Sequence, residues 1–213
     1  MLERVLCLAV GYVFGLFQTG YIYGRLNHID LRNYGSGNSG TTNALRVLGK
    51  KAGLIVFLGD FFKTVIPCVI LRLIVGPDDP RLYLLILYTA FGVILGHNFP
   101  FYMGFKGGKG IAATAGLLIS FDWRIAFICL GIFVVTVAIT RYVSLGSILV
   151  VTAFLIGVIF WGSRGDYHVE ASHLYELYGL AAVITVMAIW RHRANIGRLA
   201  HGTENKLWGK KKE

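Results

Sequence analysis

The sequence predicts an all-α, polytopic integral membrane bundle of about seven transmembrane helices, on three observations. Of 213 residues, 55% are hydrophobic and only 15% are charged, against roughly 25% in an ordinary soluble domain. Mean hydropathy is +0.63. The apolar residues gather into seven runs, and the remaining charges divide unequally between alternate connections. Disorder is excluded because it requires low hydrophobicity. A water-soluble globule is excluded too, since it would expose larger apolar patches than monomers tolerate. A net charge of +10 suits a nucleic-acid-binding domain, but the polar surface of such a domain is scarce here. No nucleic-acid partner is expected.

The first run, 5–24, has only Arg4 as a positive leader and no convincing cleavage pattern at Gly20 to Gly24, so it predicts a retained helix. Runs at 52–75 and 82–96 follow, separated by the turn Gly76-Pro77-Asp78-Asp79-Pro80. The fourth, 111–120, is short for a crossing and contains Gly116, which predicts a bent helix or half of a broken one. Runs at 124–140, 147–162 and 174–190 complete seven crossings, or five or six if 111–140 folds otherwise. Cys7, Cys68 and Cys129 lie inside apolar runs with no C-x-x-C pair, and read as small hydrophobes. No repeat or linker interrupts the chain, so one domain is expected over 1–213.

The basic residues set an orientation. With the N-terminus outside, the inner segments 25–51, 97–110, 141–146 and 191–213 carry fifteen Lys and Arg against three acids. The outer segments carry four Arg against seven acids. This split predicts an odd number of crossings with the C-terminus in the cytoplasm. The inner loops are also the ones dense in Gly, Ser, Asn, Thr, His and Lys. Function is sought there.

The first inner loop runs from Tyr34 through Gly35, Ser36, Gly37, Asn38, Ser39, Gly40, Thr41, Thr42 and Asn43 to Arg46. Its glycines permit positive φ, which lets successive N–H groups converge as an anion nest. Arg46, one turn into a following helix, would add charge at a helix start that already favours an anion. A flexible linker is the plainer reading. The run is short, however, and abuts a helix start with an arginine. We expect phosphate or carboxylate binding.

The second inner loop holds His97, Gly104, Lys106, Gly107, Gly108, Lys109 and Gly110. It resembles a Walker A loop, but it is one residue short and lacks the Ser or Thr that holds magnesium. A Gly-rich backbone with two ammonium groups remains, suited to a phosphomonoester without a metal. Phe99, Phe101, Tyr102 and Phe105 read as interfacial anchors.

In the third segment, His192, Asn195 and Arg198 fall at helical spacing and can face one site. Glu204 reads as an organiser of Arg or Lys, and Lys210 to Lys212 as headgroup attraction. Asp60 and Lys63, at i and i+3 in the second run, read as a structural neutralising pair. Ser144 and Ser147 either cap the next helix or point hydroxyls at a phosphate. No carboxylate cluster accompanies the histidines, so neither a metal nor a cofactor is expected. The CDP-alcohol phosphotransferase signature is absent. Ser36 lies in no nucleophile elbow.

Taken together, Gly35 to Asn43 with Arg46, Gly96 to Gly110, and the segment from Asn195 to Lys206 resemble the bacterial acyl-phosphate:glycerol-3-phosphate acyltransferases, the PlsY family. The likeness covers essentially the whole chain. The family commonly reads G-A-T-N where this chain has Gly40-Thr41-Thr42-Asn43. The resemblance implies transfer of a fatty acyl group from acyl-phosphate to the 1-hydroxyl of glycerol 3-phosphate, at the cytoplasmic face of the bacterial inner membrane. The products would be lysophosphatidic acid and inorganic phosphate. It further implies that Ser36 and Arg46 serve activity, and that Gly104 and Lys106 to Gly110 bind glycerol 3-phosphate. Asn195 would be needed together with His192 or His201, and Glu204 would be structural. No obligate protein partner is expected.

The residue inventory agrees with that chemistry. An acyl phosphate is already activated, so the protein must position and neutralise more than attack. On this reading the 35–40 loop and Arg46 hold one phosphate, and Lys106, Lys109 and Ser144 the other. His97, His192 or a phosphate oxygen takes the hydroxyl proton. A transporter for an organic phosphate or other anion is the alternative.

Overall fold

The structure, a computed structural model, describes residues 1–208; the lysine run at 210–212 lies outside them. Among the described residues ten α-helices form: α1 Leu2–Gly15, α2 Thr19–Leu26, α3 Thr41–Leu48, α4 Lys50–Val75, α5 Leu82–Asn98, α6 Ile111–Phe121, α7 Trp123–Thr140, α8 Val143–Ser163, α9 Ala171–Arg191 and α10 Arg193–Ala200. No strand occurs among the described residues. Among the described residues, six stretches are long and apolar enough to cross a membrane, the first being α1 with α2.

The fourth expected run, α6, has only 11 residues, a rise of about 16 Å against a hydrocarbon core of about 30 Å. Its length follows from the chain before it. Gly107 and Gly108 donate their N–H groups to the carbonyls of Asn98 and His97, 3.1 and 3.2 Å away. The loop thus folds back along the end of α5 and carries Gly110 to the level of Ile94 and Asn98. From there α6 needs to reach only Phe121, whose ring packs on Tyr83 and Tyr167 at 5.4 and 5.1 Å.

The run expected at 5–24 is not one helix. It breaks at Leu16 to Gln18, and the carbonyls so freed are satisfied by side chains. Gln18 Nε2 donates to the carbonyls of Gly15, Gly96 and His97. Lys63 Nζ donates to that of Phe17 at 2.7 Å. The break lies against α5 because α1 and α5 touch backbone to backbone. A Cβ on Gly11 or Gly15 would stand 2.0 or 2.2 Å from the carbonyl oxygen of Thr89 or Val93. One on Gly92 or Gly96 would stand 2.2 or 2.3 Å from that of Leu8 or Tyr12. Two G-x-x-x-G pairs, one on each helix, make this approach possible.

Charge segregates along the bundle. At the end away from the Gly-rich loops, Arg4 pairs with Glu176 at 2.7 Å, Arg81 with Glu3 at 2.8 Å and Arg124 with Asp166 at 2.9 Å. That end is closed by the packed rings of Tyr83, Phe121, Phe154 and Tyr167. At the loop end the cations outnumber the acids.

Candidate active site

The two Gly-rich loops and the segment after α9 meet around a cavity of about 560 Å³. Its polar end is lined by Ser36, Asn38 and Arg46 from the first, Lys109 and Gly110 from the second, and His192, Asn195, Arg198 and Glu204 from the third. His97 and Asp60, both buried, also line it. Beyond them an apolar limb runs between α4, α6, α7 and α8, past Phe61, Ala115, Leu118, Phe127, Leu130 and Phe133. Phe127 and Leu130 are 62% and 55% exposed on the outside of the bundle, so the limb reaches the surface that lipid covers.

The first loop is built around Asn43. Its Oδ1 accepts from Ser36 N and Ser36 Oγ at 2.8 and 3.2 Å. Its Nδ2 donates to the carbonyls of Leu31 and Tyr34 at 2.9 and 3.0 Å. Both ends of the amide are engaged within the loop, which makes Asn43 its scaffold. Gly35 has φ +61°, and a Cβ there would strike Asn43 Oδ1 at 2.3 Å. The expected nest is smaller than the sequence suggests, because Ser36 N and Gly37 N are spent on Asn43 and the Tyr34 carbonyl. The cavity wall is formed instead by Asn38, Gly40, Thr41 and Thr42 at the start of α3, with Arg46 above. Ser39 is buried beneath it.

Glu204 organises the third segment. Its Oε1 accepts from Ser144 Oγ at 3.0 Å and Asn195 Nδ2 at 2.7 Å, and its Oε2 from Arg198 Nε at 2.8 Å. The expected ion pair therefore forms with arginine, and it extends to two neutral donors. Ser144 makes no cap bond; it lines the cavity and directs its proton at this carboxylate. Asn195 Oδ1 receives a hydrogen bond from Lys109. Burial lowers the Lys109 ammonium to about 8, with Glu204 acting the other way.

His192 donates from Nδ1 to the Ala188 carbonyl at 2.8 Å, which leaves the Nε2 lone pair to the cavity. Burial lowers its pKa to about 4. His201 is exposed and bonded to the Gly197 carbonyl, outside the cavity lining, so His192 is the histidine of this segment that faces the site.

Lys106 does not join Lys109. It is exposed and lines a second hollow, with Arg32, Asn33, Gly37, Gly107 and Arg191, on the other side of Gly107 and Gly108. Gly104 is an exposed left-handed turn with open space around it. Arg191 is a residue that the sequence reading missed. Its Nη2 donates to the carbonyls of Gly107 and Gly108 at 2.9 and 2.6 Å, and its guanidinium lies over Phe99. Nothing in the sequence alone separates it from the other cations that follow the last helix.

A family profile described as glycerol-3-phosphate acyltransferase matches residues 5–202. The glycerol-3-phosphate acyltransferase of Clostridioides difficile (strain 630) is 40% identical, over 98% of this chain and 97% of its own length. That of Thermoanaerobacter sp. (strain X514) is 38% identical, over 98% of each. The crystal structure of PlsY (YgiH), an integral membrane glycerol 3-phosphate acyltransferase, in its glycerol 3-phosphate form superposes with a TM-score of 0.81 at 34% identity. That match covers 97% of this chain and 96% of the other. The lysophosphatidic acid form gives 0.77 at 32%, over 95% and 94%. Matched over residues 5–202 by the family profile and over 97% of its length in space, this chain belongs to the glycerol-3-phosphate acyltransferase family.

Proposed function

We propose that this chain transfers a fatty acyl group from an acyl phosphate to the 1-hydroxyl of glycerol 3-phosphate, releasing lysophosphatidic acid and inorganic phosphate. The observation that carries this reading is the two-part cavity. Arg46, Lys109 and Arg198 stand at its polar end, and its apolar limb opens toward lipid. Two phosphates and one acyl chain are what such a cavity suits. The far end of the bundle is closed by aromatic packing, which argues against the transporter alternative.

The reaction needs little covalent help. The glycerol hydroxyl oxygen attacks the acyl carbonyl carbon, and the bond from that carbon to the phosphate oxygen breaks. Its electron pair leaves with the phosphate. His192 Nε2 accepts a hydrogen bond from the hydroxyl and aims it. With a pKa of about 4, His192 is a weak base, and the departing phosphate, much the stronger one, keeps the proton. Lys109, Arg46 and Arg198 stabilise the charge that gathers on phosphate. The role of Ser36 is to shape the loop with Asn43 and not to carry an acyl group. We place this end at the cytoplasm and the N-terminus outside, because the loop end carries the excess of Lys and Arg. In a bacterium this is the cytoplasmic membrane.

The test is purified protein given palmitoyl phosphate and labelled glycerol 3-phosphate, with acyl-CoA and acyl carrier protein donors in parallel. Lysophosphatidic acid and phosphate in equal amounts, from acyl phosphate and without added proteins, are expected. Turnover with only a thioester donor would overturn the donor assignment. An acyl group found on Ser36 after rapid quench would overturn direct transfer.

A further inference from the structure

One buried cluster takes no part in that scheme. Lys63 on α4, with its side chain 4% exposed, sits among three close acceptors. Its Nζ stands 2.8 Å from Asp60 Oδ1, 2.7 Å from the Phe17 carbonyl and 2.8 Å from His97 Nδ1. The Gly15 carbonyl lies farther off at 3.4 Å. An ammonium has three protons and no lone pair, and these three partners use all of them. Asp60 is itself held by Thr19 Oγ1 at 3.1 Å. An intrahelical ion pair alone needs neither the carbonyl nor the imidazole. The arrangement is therefore more than the neutralising pair that the spacing suggests.

We propose that Lys63 is a positioning residue whose ammonium fixes the tautomer of His97, so that the imidazole presents an N–H from Nε2 to substrate oxygens in the cavity. If Nδ1 accepts from Lys63, a neutral ring carries its proton on Nε2. Nε2 has no hydrogen-bond partner among the described residues, and His97 lines the cavity. Gly108 leaves that nitrogen room: a Cβ there would stand 2.1 Å from Nε2. His192 is set the opposite way by the Ala188 carbonyl. The two histidines thus offer one donor and one acceptor to the same cavity. A donor suits the acyl carbonyl or a phosphate oxygen, and an acceptor suits the glycerol hydroxyl. His97 is then excluded as the base, because its lone pair is already engaged. What the Nε2 proton touches rests on the acyl-transfer reading; the tie between Lys63 and His97 does not.

Nitrogen-15 NMR of histidine-labelled protein in detergent reads the tautomers, with His97→Asn and His192→Asn identifying the signals. In the unmodified chain, His97 is expected protonated at Nε2 and His192 at Nδ1. Two double variants then separate donor from charge: Asp60→Leu with Lys63→Gln, and Asp60→Leu with Lys63→Met. Neither strands a buried charge, and only the first keeps a donor near His97. With Lys63→Gln the Nε2 tautomer persists. With Lys63→Met the signals become a mixture, and kcat falls at least tenfold below the glutamine variant. Finding His97 protonated at Nδ1 in the unmodified chain would overturn the proposal, even if neither variant folds. So would equal kcat and equal tautomers in the two variants. Should the unmodified chain make no lysophosphatidic acid from acyl phosphate, the acyl-transfer reading fails while the tautomers still decide the Lys63 assignment.

Discussion

Asn195 Nδ2 donates to Glu204 Oε1 at 2.7 Å, and the side chain that receives it is 4% exposed. The same group takes Ser144 from α8 and Arg198 from α10. One acid thereby ties a transmembrane helix to the segment that follows the last one, and it holds Asn195 where Lys109 can reach it.

Replacing Glu204 with Gln keeps the shape and removes the charge, and sets an amide NH₂ against the Arg198 guanidinium. Hydrogen bonds to charged groups contribute about 1.5–3 kcal/mol. We expect a lower unfolding temperature in detergent and a raised KM for glycerol 3-phosphate, with kcat affected less. An unchanged unfolding temperature would show that the network does not anchor the segment.

Lys109 gives the enzyme an alkaline limit. Its ammonium titrates near pH 8, below the usual lysine range, because burial disfavours the charge. The positive charge is present below that pH and is lost as pH rises through it. The value of kcat/KM for glycerol 3-phosphate should fall about tenfold per unit beyond pH 8, the free-enzyme group setting this profile. Lys109→Arg should move the falling limb to higher pH. A limb that stays in place in that variant would assign it to another group.

The contact of α1 with α5 predicts a contrast between glycines. A Cβ on Gly92 meets the Leu8 carbonyl oxygen at 2.2 Å, whereas one on Gly131 meets nothing within 4 Å. Gly92→Ala should cost about 1–3 kcal/mol, the range for overpacking. Gly131→Ala should be neutral or mildly stabilising, since alanine is the better helix former. Thermal unfolding of both variants checks the contrast. Equal shifts would mean that α1 and α5 are farther apart than described.

How much of this was legible in the sequence depended on whether a feature is local. The three loops, the charge split and the pairing of Glu204 with a basic residue could be read from residue types and spacing. The break at Leu16 to Gln18 could not, because its stabilising partners, Gln18 and Lys63, act across helices. The short α6 was visible as a length, but its reason lies in Gly107 and Gly108 bonding back onto α5. Asn43 and Ser144 looked like ligands because hydroxyls and amides near phosphate motifs do. In the structure, Asn43 is engaged by its loop and Ser144 turns its proton to Glu204. The two G-x-x-x-G pairs were there to be read, and a search for small residues at that spacing finds them.

The apolar limb yields a prediction about donor length. Ala115 on α6 lines it between the polar end and the Phe127 and Leu130 opening, and its methyl leaves the space an acyl chain would fill. Ala115→Phe places a ring across that path without touching Arg46, Lys109 or His192. Long-chain acyl phosphates should then lose at least tenfold in kcat/KM, while a short-chain donor that ends before the ring keeps most of its rate. The KM for glycerol 3-phosphate should stay near that of the unmodified chain, because the phosphate groups are elsewhere. Measuring a series of donors of increasing length against both proteins gives the answer directly. Equal losses for short and long donors would mean that the ring disturbs the polar end, and no loss at all would mean that the acyl chain lies along another path.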